Sequence, residues 1–165
     1  MQGVSGTKTV RTFRVERVTS ADRDSILEMY LDFDPKGAAL GLPPRKDAGK
    51  WIDSLSSFPN FVVRDESRVV AHGVLCVEGD SGETAIFVHQ NWRGRQIGKL
   101  LLTELIEEGK RLGLRRVWGM AAPDNYVMLR LAESLGFEPG SDLGVFHLDL
   151  NTAISRNRPP IKPAA

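Results

Sequence analysis

The sequence predicts an α/β protein of the α+β kind, with one mixed, mostly antiparallel central sheet and helices on its flanks. Segments with strand patterns and segments with helical spacing follow one another in the order β-α-α-β-β-β-α-β-α-β. Short turns join the three consecutive strands, which is typical of an antiparallel meander. A helix then leads to another strand, and such a crossover is typical of a parallel pair.

The first elements are predicted from capping and turn signals. Residues 13–18 have the pattern of a strand, and Thr19 with Asp22 forms a capping-box-like start for a helix that runs to residue 33. The segment 34–45 holds three prolines and two glycines, which predicts a loop. A short helix follows at 47–55.

The later elements are predicted from β-branched runs and from apolar residues at helical spacing. They are a hairpin at 61–64 and 68–77, a strand at 83–88, the clearest helix at 96–112, a strand at 116–121, a helix at 124–135 and a strand at 145–150. We expect one domain over 13–150, a flexible segment at 1–12 and a loose, proline-containing tail at 151–165.

Composition excludes several classes of function. The net charge of the 165 residues is +1, which argues against a nucleic-acid partner. No apolar run approaches the roughly 18 residues of a membrane helix, so we expect no membrane partner. The single cysteine is typical of a reducing compartment and predicts a cytoplasmic protein. The oligomeric state stays open between monomer and homodimer.

Positive charge is concentrated in one segment. Residues 92–116 carry seven basic and three acidic side chains, whereas the chain as a whole is almost balanced. Such a segment suits a small polyanionic ligand.

This segment includes the junction between a predicted strand and the clearest helix. The first amides of a helix have no intrahelical acceptor, and the helix dipole adds about half a positive charge there. Gly94 and Gly98 would let the backbone approach a ligand, and Arg93, Arg95 and Lys99 would add positive charge. The junction therefore predicts a pyrophosphate cradle, with a tight turn carrying solvated basic residues as the alternative. The fingerprints of dinucleotide and Walker-type sites are absent.

The segment V-H-Q-N-W-R-G-R-Q-I-G-K-L-L-L at 88–102 resembles the coenzyme A pyrophosphate loop of the GNAT superfamily of acyl-CoA N-acyltransferases. The pattern of that loop is [QR]-x-x-G-x-[GA] at the start of a long helix. The resemblance extends to Asn125, to A-E-S-L-G-F at 132–137 and to the strand order, so that it covers roughly residues 13–150.

The resemblance implies acetyl-CoA as cosubstrate, with its pantetheine arm between splayed parallel strands at 83–88 and 116–121. Backbone groups of Phe87 and Val88 would bond the pantetheine and the thioester, and Asn125 would contact the cofactor near the pantetheine end. Loop amides would hold the pyrophosphate, namely those of Arg93, Gly94, Arg95, Gln96, Ile97, Gly98 and Lys99.

The chain departs from the family pattern at two positions. Gln96 stands where most relatives have glycine, which costs roughly 1–2 kcal/mol if that residue has a positive φ and almost nothing if its φ is helical. Ala132 stands where many relatives have the tyrosine that protonates the departing thiolate.

Glu83 is the candidate catalytic base. An ammonium of pKa about 10.4 must lose a proton before it attacks a thioester, and a carboxylate in the cleft can accept that proton. The spacing of Asn125 and Met128 and the missing tyrosine at Ala132 resemble one branch of the family, the bacterial protein lysine acetyltransferases. The sequence G-E-T-A-I-F-V at 82–88 is similar to the same branch, in which a glutamate is the base. The alternative is a solvated residue after a turn.

The remaining candidates are weaker. His89 follows the strand at the expected thioester and could relay a proton or simply be a hydrogen-bonded group, whereas His72 and His147 are predicted to be sheet residues. Cys76 is predicted to be a small buried hydrophobe. The histidine spacing predicts no metal site.

The predicted function is acetyl-CoA-dependent N-acetyl transfer to an amine acceptor, by direct transfer in a ternary complex. A protein lysine is the first choice of acceptor and a small-molecule amine the second. A non-catalytic acyl-CoA-binding module is the alternative of another class, because Gln96 and Ala132 both depart from the family pattern.

Overall fold

A computed structural model describes residues 11–150. The predicted tail at 151–165, and the predicted flexible segment apart from its last two residues, lie outside this range. The strands are β1 Val15–Arg17, β2 Asn60–Asp65, β3 Arg68–Glu78, β4 Ser81–Val88, β5 Arg116–Met120, β6 Glu138–Pro139 and β7 Val145–Asp149. The helices are α1 Arg23–Leu31, α2 Ala48–Ser54, α3 Ile97–Arg111 and α4 Tyr126–Ser134, with 3₁₀ turns at Ser20–Asp22 and Gln90–Trp92.

The strands form one seven-stranded sheet in the order β1-β2-β3-β4-β5-β7-β6. Neighbouring strands are antiparallel except for β4 and β5, which are parallel and are connected through α3. The predicted mixed, mostly antiparallel sheet with flanking helices is confirmed.

The parallel pair separates along its length. β4 and β5 are paired only from Ser81 and Arg116 to Glu83 and Trp118. β4 then continues to Val88 while it remains paired with β3 on its other side. A gap therefore opens between β4 and β5 just after Glu83, as expected for the splayed pair.

Two helices pack on each face of the sheet. α3 and α4 pack on one face, in an apolar cluster that includes Leu101, Leu105 and Phe146. α1 and α2 pack on the other face, against β2, β3 and the C-terminal half of β4, in a cluster that includes Tyr30 and Phe87. The long apolar stripe of α3 is core, as its helical spacing predicts.

Two local features differ from the predictions. β4 begins at Ser81 rather than at residue 83, because Gly79 at φ +59° closes a tight turn that pairs Glu78 with Ser81. β6 was not predicted, since two residues are too short to show an alternating pattern. Within residues 11–150 no helix has both the length and the apolarity needed to cross a bilayer.

Candidate active site

The β4–α3 loop, residues 89–96, leads directly into the N-terminus of α3. The first α-helical bond runs from the Leu100 amide to the Gln96 carbonyl at 3.2 Å. The amides of residues 97–99 precede that bond, so helix geometry directs them out of the helix end. The predicted anion-binding position therefore consists of these backbone amides. The Ile97 side chain is buried in the core and does not contribute to it.

Gln96 adopts a left-handed conformation, with φ +62° and ψ 15°. The sequence left open whether Gln96 has a positive or a helical φ, and the structure has the positive φ, which is strained for a residue other than glycine. A non-glycine residue in this region costs roughly 1–2 kcal/mol. The loop therefore reaches the geometry that glycine would adopt more easily.

The two glycines of this region have different surroundings. Gly94 has φ +73° and open space where a side chain would project, so nothing in the described residues crowds this position, and its positive φ favours glycine. Gly98 faces inward: a Cβ there would lie 3.4 Å from Leu131 of α4 and 3.5 Å from Ile86 of β4. Gly98 thus serves close packing of α3, and only its amide faces the loop.

The three basic side chains do not contribute equally. The Arg93 guanidinium donates from Nε to the Val88 carbonyl at 3.0 Å and from Nη2 to the Asp34 carbonyl at 2.8 Å. The Arg93 guanidinium is thereby held beside the α1–α2 loop by two neutral carbonyl oxygens, and it keeps its positive charge there. Arg95 and Lys99 are exposed and have no ion pair within residues 11–150.

His89 anchors the start of the β4–α3 loop. The residue is fully buried, and its Nε2 lies 3.0 Å from an Asp32 carboxylate oxygen while its Nδ1 accepts from the Asn91 amide at 3.2 Å. Both ring nitrogens are thus occupied, which favours the hydrogen-bonded role over a proton relay. Hydrogen bonds from His89 and Arg68 hold the pKa of Asp32 below its usual range.

Glu83 lies at the last paired position of β4, where the gap to β5 begins. It is half-buried, and within residues 11–150 its carboxylate makes no hydrogen bond or ion pair. Burial raises the pKa of this carboxyl group above its usual range. A carboxylate without a cation partner, at the mouth of a gap, can accept a proton from a bound amine.

Cys76 of β3 lies directly opposite Glu83 in the antiparallel pair. The cysteine is only half-buried and belongs to neither apolar cluster, so the predicted buried hydrophobe is wrong. Burial, and then the charge of Glu83, raise the pKa of its thiol. The sulfur therefore stays protonated near neutral pH and is a poor nucleophile.

A family model described as "Acetyltransferase (GNAT) family" matches residues 23–137, more than half of the chain. The chain belongs to the GNAT acetyltransferase family. The match includes Glu83, the β4–α3 loop and α4, and the resemblance inferred from the loop motif is thereby confirmed at the level of the family.

Solved structures share the fold at low sequence identity. The GNAT domain of PAT from S. lividans has a TM-score of 0.74 at 18% identity, over 85% of this chain and 92% of that chain. A phosphinothricin acetyltransferase from Sinorhizobium meliloti, solved with acetyl-CoA, has a TM-score of 0.69 at 21% identity, over 83% and 86%. A ribosomal-protein-alanine N-acetyltransferase from Brucella melitensis has a TM-score of 0.65 at 24% identity, over 83% and 99%.

The other residues expected to contact acetyl-CoA lie on β4 and at the N-terminus of α4. Phe87 and Val88 are on the stretch of β4 that is paired with β3 but not with β5. The Phe87 ring is buried under α1 and α2, and the Val88 carbonyl accepts a hydrogen bond from Arg93. Asn125 caps α4, accepting from the Met128 amide at 3.2 Å. The capping bond uses its Oδ1, so Nδ2 is the side-chain atom that can donate to a ligand.

Ala132 of this GNAT domain is buried among the α3 and α4 side chains. It places no hydroxyl near the gap, so this position supplies no general acid. His72 is also structural, as predicted: Tyr30 Oη lies 2.6 Å from its Nδ1, and the Asn60 Oδ1 lies 2.6 Å from its Nε2. The described part of the chain holds no group of three or more side chains suited to a metal ion.

Sequence reasoning missed Trp118. Its side chain is half-buried on the same face as Glu83, and the two residues are paired across the β4–β5 boundary. The one available signal was the alternation in β5, where Arg116, Trp118 and Met120 are on one face and Val117 and Gly119 on the other.

Proposed function

We propose that the chain transfers an acetyl group from acetyl-CoA to a primary amine, directly and within a ternary complex. One observation carries the proposal: the parallel pair opens just after Glu83, with the N-terminus of α3 following the far end of β4. Membership of the GNAT acetyltransferase family supports the reaction class, and the acetyl-CoA-bound neighbour supports the cosubstrate.

The donor would lie along the gap. Amides from Arg93 to Lys99 would bind the pyrophosphate, and the exposed side chains of Arg95 and Lys99 would add charge. The unpaired edge of β4 at Phe87 and Val88 would bond the pantetheine and polarise the thioester carbonyl. The Nδ2 of Asn125 would donate to the pantetheine end.

Glu83 would supply the base. Glu83 and Phe87 lie four residues apart along β4, roughly 13 Å. The acceptor ammonium therefore gives one proton to the Glu83 carboxylate through bound water, and the neutral amine attacks the thioester carbonyl, forming the C–N bond. The C–S bond then breaks, and the departing thiolate takes the second proton of the amine nitrogen. The products are the amide, the CoA thiol and one proton held by Glu83. A thiol of pKa about 8.5 leaves tolerably as thiolate, so Ala132 does not block the reaction.

For the acceptor, a protein lysine comes first. The similarity of residues 82–88 and 125–137 to bacterial protein lysine acetyltransferases supports it, and so does the structural likeness to the PAT domain. A small-molecule amine is the other candidate, and the structural likeness to phosphinothricin acetyltransferase supports it.

The test combines turnover with a matched pair of variants. The protein is incubated with acetyl-CoA and N-α-acetyl-lysine, thiol release is followed, and isotope-labelled acetyl-CoA is then given with a cell extract for mass spectrometry. Because the base must be ionised and burial raises the pKa of Glu83, wild-type kcat/KM should rise through a pH above the usual value of about 4.3. Glu83→Gln should lose most activity at neutral pH and recover partly at high pH. The control is Glu78→Gln: Glu78 is an exposed glutamate of β3, two residues from Cys76, the residue paired with Glu83, and therefore on the same face of the sheet as Glu83.

An unchanged pH–rate profile in Glu83→Gln would remove Glu83 from its role.

The binding-module alternative is supported by the strained Gln96 and by Ala132. It predicts that acetyl-CoA stabilises the protein, by about 2.7 kcal/mol at 100 times its Kd, while no thiol is released with any amine or extract. If acetyl-CoA gives no thermal shift, both functions fail.

A further inference from the structure

One face of β5 and β7 carries no helix from either core cluster. We call it the open face, and it comprises the sides of Trp118, Met120, Val145 and His147. None of these four residues belongs to the clusters formed by the helices, and Met120 is 44% exposed. The open face adjoins Glu83, which projects from the same side of β4.

Strand register aligns five side chains across the open face and its border. Cys76 is paired with Glu83, Glu83 with Trp118, Trp118 with His147, and His147 with Glu138. Trp118 and His147 are directly opposite in an antiparallel pair, where Cβ atoms are about 4.5–5.5 Å apart. Glu83 is the register partner of Trp118 in the parallel pair, and neighbouring strands lie about 4.8 Å apart, so Trp118 adjoins both residues.

Trp118 is the aromatic surface at the centre of this row. Its indole N–H has no acceptor within residues 11–150 and is not buried, since every buried side-chain polar atom has a partner. Within residues 11–150, this tryptophan neither packs into a core cluster nor satisfies its N–H, so its ring and its N–H are available to a ligand.

The charges near Trp118 favour a cation. Glu83 is an unpaired carboxylate within residues 11–150, and Glu138 adds a second one at the edge of the row. The nearest guanidinium on this face, Arg116, is hydrogen-bonded to Asp149 at 2.6 Å. The two side chains paired with Trp118 are therefore the Glu83 carboxylate and the His147 imidazole, and the Glu138 carboxylate lies one strand further along the row.

We propose that Trp118 is the specificity-determining residue for the acceptor, binding the primary alkylammonium over its indole ring beside Glu83. The proposal rests on the proposed function for its chemistry, and Trp118 lies outside the segments at 82–102 and 125–137 that carry the family resemblance. The ring attracts the charged form of the amine, and Glu83 then removes the proton at the mouth of the gap, so that the neutral amine faces the thioester.

A ground-state cation–π contact predicts an effect on acceptor binding. Replacing the ring in Trp118→Leu should raise KM for N-α-acetyl-lysine about three- to thirty-fold, leave KM for acetyl-CoA unchanged and leave the pH profile in place. Trp118→Phe keeps an aromatic face, so its KM for N-α-acetyl-lysine should lie between those of the wild type and of Trp118→Leu.

A binding experiment tests the same contact without turnover. The Trp118 indole ¹⁵N–¹H resonance, assigned by its loss in Trp118→Phe, is followed during titration with n-butylammonium chloride and, separately, with neutral 1-pentanol. The ammonium should shift it saturably, and the alcohol should not. Glu83→Gln should weaken this binding as well.

The two proposals fail in different ways. If acetyl-CoA is turned over but Trp118→Leu has wild-type KM for N-α-acetyl-lysine, the inference is overturned and the proposed function stands. If butylammonium leaves the indole resonance unmoved or 1-pentanol shifts it equally, the inference is overturned too. If the protein releases no thiol, the proposed function fails while the indole titration still decides the cation site.

Discussion

Gln96 combines two roles that are usually given to different residues. It supplies the left-handed turn that directs the β4–α3 loop into α3, and its carbonyl accepts the first α-helical bond. Glycine fills the first role without strain. Because the Gln96 side chain makes no capping bond, it offers no compensation at the helix terminus.

We therefore expect Gln96→Gly to stabilise the protein. Relief of the left-handed strain, about 1 kcal/mol after the entropy of glycine is subtracted, should raise Tm by about 2–4 °C in a chain of this size. Gln96→Ala removes the same side chain but retains a Cβ, so it should not stabilise. Calorimetry of the three proteins checks this, and equal Tm values for the two variants would contradict it.

His72 predicts a pH dependence of folding. Burial lowers its pKa to about 4, and an unfolded histidine titrates near 6.5. The unfolded state therefore binds the proton more readily, so stability is complete above pH 6.5 and declines as the pH falls towards 4. The loss should be about 2 kcal/mol at pH 5.

Urea unfolding at pH 7 and pH 5 measures this loss. His72→Gln should be less stable at pH 7, because the bonds to Tyr30 and Asn60 change. It should nevertheless lose less of its unfolding free energy between the two pH values. Parallel losses in wild type and variant would show that His72 is not the titrating group.

At the scale of elements, the β4–α3 loop is joined to the α1–α2 loop. Gln90 accepts from the Asp34 amide at 3.0 Å and donates to the Asp32 carbonyl at 2.7 Å. Arg93 donates to the Asp34 carbonyl from the same side. The loop expected to hold the pyrophosphate is thus held against the α1–α2 loop.

Gln90→Ala should loosen this junction. Loss of a side-chain hydrogen bond, worth about 1 kcal/mol, should speed hydrogen exchange of the Asp34 amide roughly five-fold. Gln96→Ala is the matched control, since that glutamine is exposed and bonds to neither loop through its side chain. An Asp34 exchange rate that is the same in all three proteins would contradict the coupling.

How far the sequence predicts each element depends on how local its cause is. The apolar stripe of α3 and the β-branched run of β3 have local causes, and both elements were predicted. The adjacency of Glu83 and Trp118 was not, because it arises from register between strands more than 30 residues apart. The φ of Gln96 and the bonding of Arg93 also depend on tertiary packing rather than on local pattern.

At the scale of the whole molecule, the net charge is small, and the position of the charged side chains relative to β4 matters more than their number. The net charge of the chain is only +1, yet exposed Arg95 and Lys99 flank the N-terminus of α3. The carboxylate of Glu83 lies at the other end of the same strand, β4. One end of β4 therefore suits an anionic donor and the other a cationic acceptor, which is the polarity that amine acetylation requires.

Acetyl-CoA titration followed by backbone ¹⁵N–¹H NMR tests the central claim most directly. We predict saturable shifts concentrated in the amides of 84–88 and 93–99, with little change at Arg14, Val15 and Thr103, which line a groove beside α3. Shifts concentrated at Arg14, Val15 and Thr103, or no saturable shift at all, would contradict the assignment of the gap between β4 and β5 as the donor site.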